Sequence, residues 1–239
     1  MKILPESWWR QMKQWIRWRS GHKSEENFWD RYLKTRGLHW PQEFSDRMNP
    51  ELELAEELSA LMKDVPPASM RVLDVGAGPL TIVGKCFRGT RILLSAVDPL
   101  AQHYDRLLEK YGLIPPVRTL FGKAEDVAAQ FPNDGFDLVH ARNCLDHGID
   151  PFHAVSQMLT VTKPGGFVYL KHHPNEGLNE QWHGLHQWNF SMSGSGNFII
   201  SSRDRKVNVT SEFADLADVH CEMSIDAGEE WLIVQIHKH

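Results

Sequence analysis

The chain has 239 residues, of which 41% are hydrophobic, so it can bury a large core without disulfides or metals. Its net charge of -5 argues against nucleic-acid binding, because neutralising phosphates needs a dense basic surface. The three cysteines show no Cys-x-x-Cys pattern, and there is neither a signal-peptide core nor an apolar run near the roughly 20 residues of a transmembrane helix. A cytoplasmic protein is therefore expected.

The first 20 residues combine tryptophan with basic side chains. On a helix, four apolar residues share one face and three cations lie away from it: Trp8, Met12, Trp15 and Ile16 against Arg10, Lys13 and Arg17. An interfacial membrane anchor has this composition, since indole sits at the headgroup level and cations meet anionic lipid. Peripheral contact with the inner face of the membrane is one hypothesis. A helix packed on the domain, or a dimer contact, is the other, and the oligomeric state stays open.

Two more helices are predicted before residue 66, over Glu25 to Lys34 and over Pro50 to Lys63, with a loop between them. Ser20-Gly21-His22 is expected to separate the first of these from the N-terminal segment. Pro66-Pro67 then predicts a boundary. The domains expected are an N-terminal helical cap over residues 1–66 and a second domain over residues 67–239.

The second domain opens with a strand and a tight turn. The run from Val72 to Val75 has the apolar character of a strand buried on both faces of a parallel sheet, and Gly76 and Gly78 end it, with a helix expected next. Glycine reaches positive φ and lets a ligand lie against the backbone. Asp98 ends a second apolar run about 20 residues later, where nucleotide-binding units place the carboxylate that accepts ribose hydroxyls.

The remaining elements alternate between helix and strand, as in an α/β sheet. They are predicted as a helix over 100–111, strands over 117–121 and 136–140, a helix over 150–160, a tight turn over 163–166, a strand over 167–171, a short helix from about 211, and strands over 219–225 and 231–237.

The stretch Val72-Leu73-Asp74-Val75-Gly76-Ala77-Gly78 resembles the first motif of the class I S-adenosylmethionine-dependent methyltransferases, and Val97-Asp98 resembles the second. The resemblance implies a Rossmann-like sheet of seven strands, mostly parallel with the last strand antiparallel, with helices on both faces and S-adenosylmethionine as the cofactor. Leu80 stands where the family has a third glycine. A dinucleotide would need that glycine for helix packing under a pyrophosphate, whereas S-adenosylmethionine has no phosphate to bind.

Two further stretches carry the resemblance: Gly122 to Asp126 looks like the third motif, and Leu145-Asp146-His147 looks like the Leu-Glu-His end of the fourth. Ala124 would offer its N–H to adenine, and Glu125 or Asp126 would accept from the amino group; acids favoured by a helix N-terminus are the alternative for that pair. In the family, segments before the first motif often cover the cofactor, here some of Tyr32, Trp40 and Arg47. The cofactor-binding residues implied are Asp74, Gly76, Ala77, Gly78, Asp98, Pro99, Ala124, Glu125, Asp126 and Arg142.

The segment of about 172–210, after the fifth strand, is predicted to bind the acceptor. Its tryptophans suit the apolar faces of sugar rings and its polar residues suit hydroxyls. A histidine can take a hydroxyl proton near neutral pH. His147 and His173 are therefore the base candidates, with Glu176 orienting one of them and His186 reading the acceptor. No metal is expected, because the segment has no His-x-x-x-His spacing.

Together these features predict methyl transfer from S-adenosylmethionine to a hydroxyl oxygen of an acceptor, with a carbohydrate as the expected class. The segment around Gly184 to Phe190 resembles bacterial methyltransferases associated with glycan synthesis. Two alternatives stay open: a small-molecule methyltransferase of secondary metabolism, and a cofactor-binding or membrane-associated subunit without turnover.

The N-terminal hypothesis can be tested by deletion. If residues 1–20 form an interfacial segment, removing them should abolish binding to anionic vesicles while turnover of a soluble acceptor is retained. Vesicle co-sedimentation and a methyl-transfer assay measure the two effects. Loss of folding or of dimerisation in the truncated chain would instead favour the packing alternative.

Overall fold

The computed structural model describes residues 6–239, with side chains from residue 21 onward. The expected membrane contact of the tryptophan-rich segment therefore rests on side chains outside the described part. Within that part, no helix is both long and apolar enough to span a bilayer.

The centre of the molecule is a seven-stranded sheet with the order β11-β12-β7-β6-β1-β4-β5. Only β12 runs antiparallel to its neighbours, which confirms the predicted sheet. The strands of the chain are β1 (Arg71–Val75), β2 (Cys86–Phe87), β3 (Thr90–Arg91), β4 (Leu93–Asp98), β5 (Thr119–Phe121), β6 (Phe136–Arg142), β7 (Thr162–His172), β8 (Asn189–Met192), β9 (Phe198–Ser201), β10 (Lys206–Asn208), β11 (Ala217–Asp226) and β12 (Glu229–Lys238).

Helices cover both faces of this sheet because alternate residues of the central strands point to opposite sides. Leu73 and Val75 pack with α5, α6 and the region around α8, whereas Val72 packs with α3 and Phe87. A third apolar cluster joins α1, α2 and α4 above the sheet edge. The helices are α1 (Glu6–Thr35), α2 (Pro41–Met48), α3 (Glu56–Leu61), α4 (Ala101–Lys110), α5 (Val127–Gln130), α6 (Pro151–Val161), α7 (Glu176–Asn179) and α8 (Val209–Glu212).

The N-terminal helices differ from the prediction at Gly21, which does not end a helix. Instead α1 runs without a break from Glu6 to Thr35. A Cβ on Gly21 would lie only 2.3 Å from Leu185 Cγ. Glycine at this position therefore lets the helix pass close to the segment after β7, and the sequence alone reads it as a terminator.

The predicted helix over Pro50 to Lys63 is also wrong in its first half. The chain forms α2 where a loop was expected, with Pro41 at the helix start, a position proline favours. Only α3 remains of the predicted helix. The backbone before it is extended because Leu54 N donates to Cys86 O and Cys86 N donates to Leu52 O.

No helix follows the first glycine turn, contrary to the prediction. Pro79 lacks an N–H, and the chain then turns into the short β2–β3 hairpin. A Cβ on Gly84 would lie 2.2 Å from Glu53 O, so this segment passes tightly against the extended stretch before α3. Lys85 N and Cys86 N both donate to Leu52 O in that stretch, and no helix begins at this turn.

The segment 172–210, predicted to bind the acceptor, contains more regular structure than expected. Strands β8, β9 and β10 form a separate antiparallel sheet. Phe190, Phe198 and Ile200 from this sheet join the main core. Most of the insertion is therefore part of the folded body, and it reaches the ligand crevice through His173 after β7 and through Leu185 and His186 between α7 and β8.

Candidate active site

A cavity of about 500 Å³ opens at the carboxyl ends of the central strands. Parallel α/β sheets bind ligands at this edge, because the loops after successive strands converge there. The described half of α1 forms one wall through His22, Glu25, Phe28, Trp29 and Tyr32. The cap therefore covers the crevice, and the three cap residues singled out in the sequence all line it: Tyr32, Trp40 and Arg47.

The loop after β1 forms the floor of this cavity. Gly76 and Gly78 have φ of 71° and 63°, in the left-handed region that favours glycine. A Cβ on Gly76 would lie 2.4 Å from Cys144 Sγ, and one on Gly78 would lie 2.6 Å from Trp29 Cζ2. Side chains are thus excluded at both positions, which leaves bare backbone facing a ligand, with Ala77 between them also on the cavity wall.

Asp74, on β1, fixes this loop through hydrogen bonds. Its buried carboxylate accepts a hydrogen bond from Thr81 Oγ1 at 2.6 Å and one from His140 Nδ1 at 2.7 Å. His140 is itself buried and stacked on Tyr169, with the ring centroids 5.9 Å apart. Both oxygens of Asp74 are engaged, so the residue predicted at the methionine end shapes the loop there rather than presenting a free carboxylate.

Asp98, the last residue of β4, connects that strand to the glycine loop. Its Oδ2 accepts from Gly78 N at 3.1 Å and its Oδ1 accepts from Leu100 N at 2.8 Å. Burial raises the pKa of Asp98 to about 6, although the two N–H donors favour the ionised form. Asp98 and Pro99 both line the cavity, at the position predicted for the ribose.

The residues predicted at the adenine end separate into two groups. Ala124 and Glu125 line the cavity, whereas Asp126 is exposed and lies outside the lining. Of the two acids predicted for the adenine, the structure therefore brings Glu125 and not Asp126 to the cavity wall. Glu125 Oε1 accepts from Ile149 N at 2.8 Å and from Asp150 N at 3.2 Å, so the carboxylate also holds the chain just before α6.

A cluster of Asp146, His147 and His186, called the histidine–aspartate cluster below, lies between the loop after β6 and the loop before β8. Asp146 Oδ2 is 2.7 Å from His186 Nδ1 and 3.5 Å from His147 Nε2. Burial alone would raise the pKa of Asp146, but the imidazoles of His147, His186 and His172 outweigh it and hold the pKa at about 2. The hydrogen bond to Asp146 in turn raises the pKa of His186.

Of the other predicted catalytic residues, Glu176 lies beside this cluster and His173 lies elsewhere on the cavity wall. Glu176 does not line the cavity, and its Oε2 is 3.6 Å from His186 Nδ1, so it stands beside His186 rather than orienting His147 or His173. His173 lines the cavity elsewhere, with Nδ1 3.1 Å from Glu230 O and its ring centroid 3.8 Å from that of Trp231. His147, His173 and His186 thus share one cavity.

Several residues that line the cavity belong to no sequence pattern that points to a binding site. Glu229 and Trp231 come from the last strand, and Glu43 comes from α2, which was expected to be a loop. Arg142, predicted to bind the cofactor, lines the cavity with its guanidinium carbon 4.9 Å from the Trp231 ring centroid and Nη1 3.9 Å from Glu43 Oε2. Only the antiparallel pairing of β12 with β7 brings Trp231 to this place.

The tryptophans of the insertion are not on the cavity wall. Trp188 is buried and donates to Gly148 O at 3.1 Å, and Trp182 packs against Gly177 and Arg203. Sugar stacking by these two indoles, expected from the sequence, does not fit their placement. Among the side chains that the structure describes, the indoles that line the cavity are Trp29, Trp40 and Trp231.

Comparison with known proteins decides the family. A family model described as a methyltransferase domain matches residues 47–208. The chain belongs to the class I S-adenosylmethionine-dependent methyltransferases. The bare glycine loop and the carboxylate of Asp98 fit this cofactor, because an uncharged ribose and a methionine chain need close backbone approach and hydroxyl acceptors rather than a phosphate cradle.

The relatives of this methyltransferase match only part of the chain. An uncharacterised methyltransferase of Mycobacterium tuberculosis is 28% identical over 126 residues, covering 50% of this chain and 48% of the relative. The ubiquinone biosynthesis O-methyltransferase of Thiobacillus denitrificans is 33% identical over 107 residues, covering 44% and 45%. The chain therefore spans about half the length of the curated relatives it matches.

A solved structure with the same fold matches more of the chain. It is the complex between the Haloferax volcanii Trm112 methyltransferase activator and a putative methyltransferase. The TM-score is 0.51 at 16% identity, over 90% of this chain and 97% of the matched one. At this identity the likeness concerns the fold alone.

The Asp74 network predicts a stability effect. Thr81→Val keeps the shape of the side chain but removes the hydroxyl that donates to Asp74 and accepts from Val83 N. Because a buried carboxylate oxygen then lacks its donor, the free energy of unfolding should fall by about 1–3 kcal/mol, measured by chemical denaturation. Ser69→Ala, at an exposed hydroxyl, is the control. Equal stability of the two variants would contradict this account.

A second prediction concerns cofactor affinity. Asp98→Ala should weaken S-adenosylmethionine binding roughly 10- to 150-fold, because hydrogen bonds to a charged group contribute about 1.5–3 kcal/mol. Isothermal calorimetry on the folded variant measures the effect. Asp105→Ala on α4 is the matched control, since Asp105 pairs with Arg118 outside the cavity. Unchanged affinity in Asp98→Ala would remove the ribose role.

Proposed function

We propose that this protein transfers the methyl group of S-adenosylmethionine to a hydroxyl oxygen of an acceptor, and that the acceptor is a carbohydrate. The observation that carries the proposal is that the cofactor loop and the histidine–aspartate cluster open onto the same cavity. A methyl acceptor lying between them would meet hydroxyl-binding side chains beside the methyl donor.

The reaction is a single in-line displacement. The acceptor oxygen forms a bond to the methyl carbon while the carbon–sulfur bond breaks, and the electron pair stays on sulfur, leaving S-adenosylhomocysteine. The hydroxyl proton goes to an imidazole of the cavity, since an imidazole in its neutral form can accept a proton near neutral pH. Alignment of the reacting atoms provides most of the acceleration in such a step. The chain's own contribution is therefore to hold the acceptor oxygen in line and to exclude water with the cap.

A polyhydroxyl acceptor suits the composition of the cavity. Imidazoles and carboxylates can bind several hydroxyls, and indole rings can stack on the apolar face of a sugar. Trp40 is 49% exposed and also lines the cavity, so its ring is available to a ligand. Trp29 and Trp231 add aromatic surface to the cavity wall.

A phenolic small molecule is the second candidate acceptor. It is favoured by the likeness to a relative named as a ubiquinone biosynthesis O-methyltransferase. Phe28, Trp29 and Tyr32 on the cap side of the cavity would suit a flat aromatic ring. Both candidates present a hydroxyl oxygen to the same cluster, so they differ in the acceptor and not in the chemistry.

The experiment that tests the function is an acceptor screen with methyl-labelled S-adenosylmethionine. The panel contains free sugars, sugar nucleotides and oligosaccharides, together with phenols and amines as competing classes. We expect label in a base-stable methyl ether of a sugar. Transfer to phenols alone would favour the second candidate, and transfer to amines alone would contradict O-methylation.

The cluster itself predicts a kinetic effect. His186→Ala should lower kcat by about 10²–10⁴ while the affinity for S-adenosylmethionine is kept, because a group that acts on the acceptor oxygen contributes in the transition state. Steady-state kinetics and calorimetry measure the two quantities. His183→Ala, three residues earlier and exposed, is the control. Near-normal kcat in His186→Ala would remove the cluster from the reaction, and a rise in KM alone would assign it to acceptor binding.

A further inference from the structure

We propose that Asp146, His147 and His186 form a binding site for one divalent transition-metal ion at the wall of the active-site cavity. The site is assembled from two places in the chain, the single turn Leu145–His147 after β6 and the loop before β8. It is built entirely from described residues, and His147 and His186 face the cavity.

The spacing of the ligand atoms fits a shared ion. Nitrogen and oxygen ligands lie about 2.1 Å from such a metal, so ligands at tetrahedral or octahedral angles are roughly 3–3.5 Å apart. Asp146 Oδ2 lies 2.7 Å from His186 Nδ1, slightly below this range, and 3.5 Å from His147 Nε2, at its upper end. One candidate ligand atom from each residue lies within 4.8 Å of the others, and the two imidazole planes are 76° apart.

Two polar atoms in the cluster lack a hydrogen-bond partner among the described residues. They are Asp146 Oδ1 and His147 Nε2, both buried. Asp146 has only 1% of its side chain exposed, so solvent does not satisfy it. An unsatisfied buried carboxylate oxygen costs more than a neutral group, whereas coordination through both carboxylate oxygens would engage Oδ1 together with Oδ2 and the His147 nitrogen.

The bond from His186 Nδ1 to Asp146 does not prevent coordination. A neutral imidazole carries its proton on one nitrogen only, and with the proton on Nε2 the Nδ1 lone pair is free to bind a cation. The 2.7 Å hydrogen bond would then be replaced by two bonds to the same ion. Metal binding should therefore release a proton at pH values where His186 is charged.

The donor set indicates the class of ion. Two imidazoles and one carboxylate favour zinc, manganese or iron(II) over magnesium or calcium, which take mainly oxygen ligands. Three protein ligands leave coordination positions open, as in catalytic rather than structural sites. A hydroxyl oxygen bound there would be held in place and acidified. The ligand imidazoles would then not accept its proton, which would pass to His173 on the cavity wall or to water.

The metal ion would be an activator of the proposed methyl transfer, and only this chemical role rests on the proposed function. The binding site stands on the geometry alone, so it can be tested without an acceptor. It also revises the metal-free site expected from the sequence, where the three residues show no ligand spacing because 40 residues separate Asp146 from His186.

The experiment uses the full chain without an affinity tag, stripped with a chelator and dialysed. Zinc and manganese are titrated separately by isothermal calorimetry, and bound metal is counted by mass spectrometry. We expect one ion per chain, and at least about tenfold weaker binding in His147→Gln and in His186→Gln, as loss of a ligand requires. His183→Gln is the matched control, an exposed histidine on the same loop that should bind as tightly as the unaltered chain.

Calorimetry with S-adenosylhomocysteine separates a lost ligand from a misfolded variant, because the cofactor loop is on a different strand. Unaltered metal affinity in both glutamine variants would overturn the site and assign binding to the surface. Absence of binding in the stripped chain would overturn it as well and leave the cluster as a hydrogen-bonded pair. Metal binding without methyl transfer to any hydroxyl would keep the site and reject the proposed function.

Discussion

The buried carboxylate of Asp74 is the interaction on which the cofactor end of the molecule depends. It lies under the glycine loop and takes hydrogen bonds from Thr81 and His140, so it joins β1, the loop after it and β6. A carboxylate in this position is costly unless both oxygens are paired. Because it is paired, the loop is held open between Cys144 and Trp29 without the helix that usually follows such a turn in parallel α/β folds.

The cap adds a second constraint, from the opposite side. The long helix α1 crosses the molecule with Gly21 against Leu185, and its described half forms a wall of the cavity. The same contact places the loop that carries His186 beneath the helix. Movement of the helix would therefore disturb both the cavity wall and the loop that carries His186, since the one helix contacts both. Arg47 on α2 and Lys85 after the glycine turn strengthen the attachment, because Arg47 donates to Leu80 O and Lys85 donates to Asp46 O.

The polar groups of the histidine–aspartate cluster are paired differently from those around the glycine loop. Near the cofactor loop, each carboxylate oxygen accepts a hydrogen bond from a backbone N–H group or from one side chain. In the histidine–aspartate cluster, one buried carboxylate faces two imidazoles and keeps an unpaired oxygen. His172 beside it is buried with neither ring nitrogen paired among the described residues, and burial lowers its pKa to about 3. Unsatisfied polar atoms concentrated beside a cavity are typical of a functional site, because a folded core without a ligand would select against them.

The amino-acid sequence by itself indicated the alternation of strands and helices and the glycine turn, because apolar runs, glycines and a carboxylate about 20 residues on are local signals, and the resemblance of its motifs implied the seven-stranded sheet. It placed Asp98, Gly76 and Gly78 without any tertiary information. It misjudged Gly21 and the segment after Gly78, since helix propensity does not include the close approach of another chain segment, here Leu185 and Glu53. Only the tertiary structure decided the histidine–aspartate cluster and the lining by Trp231, because their partners lie 40 or more residues apart and meet through packing rather than through any local pattern.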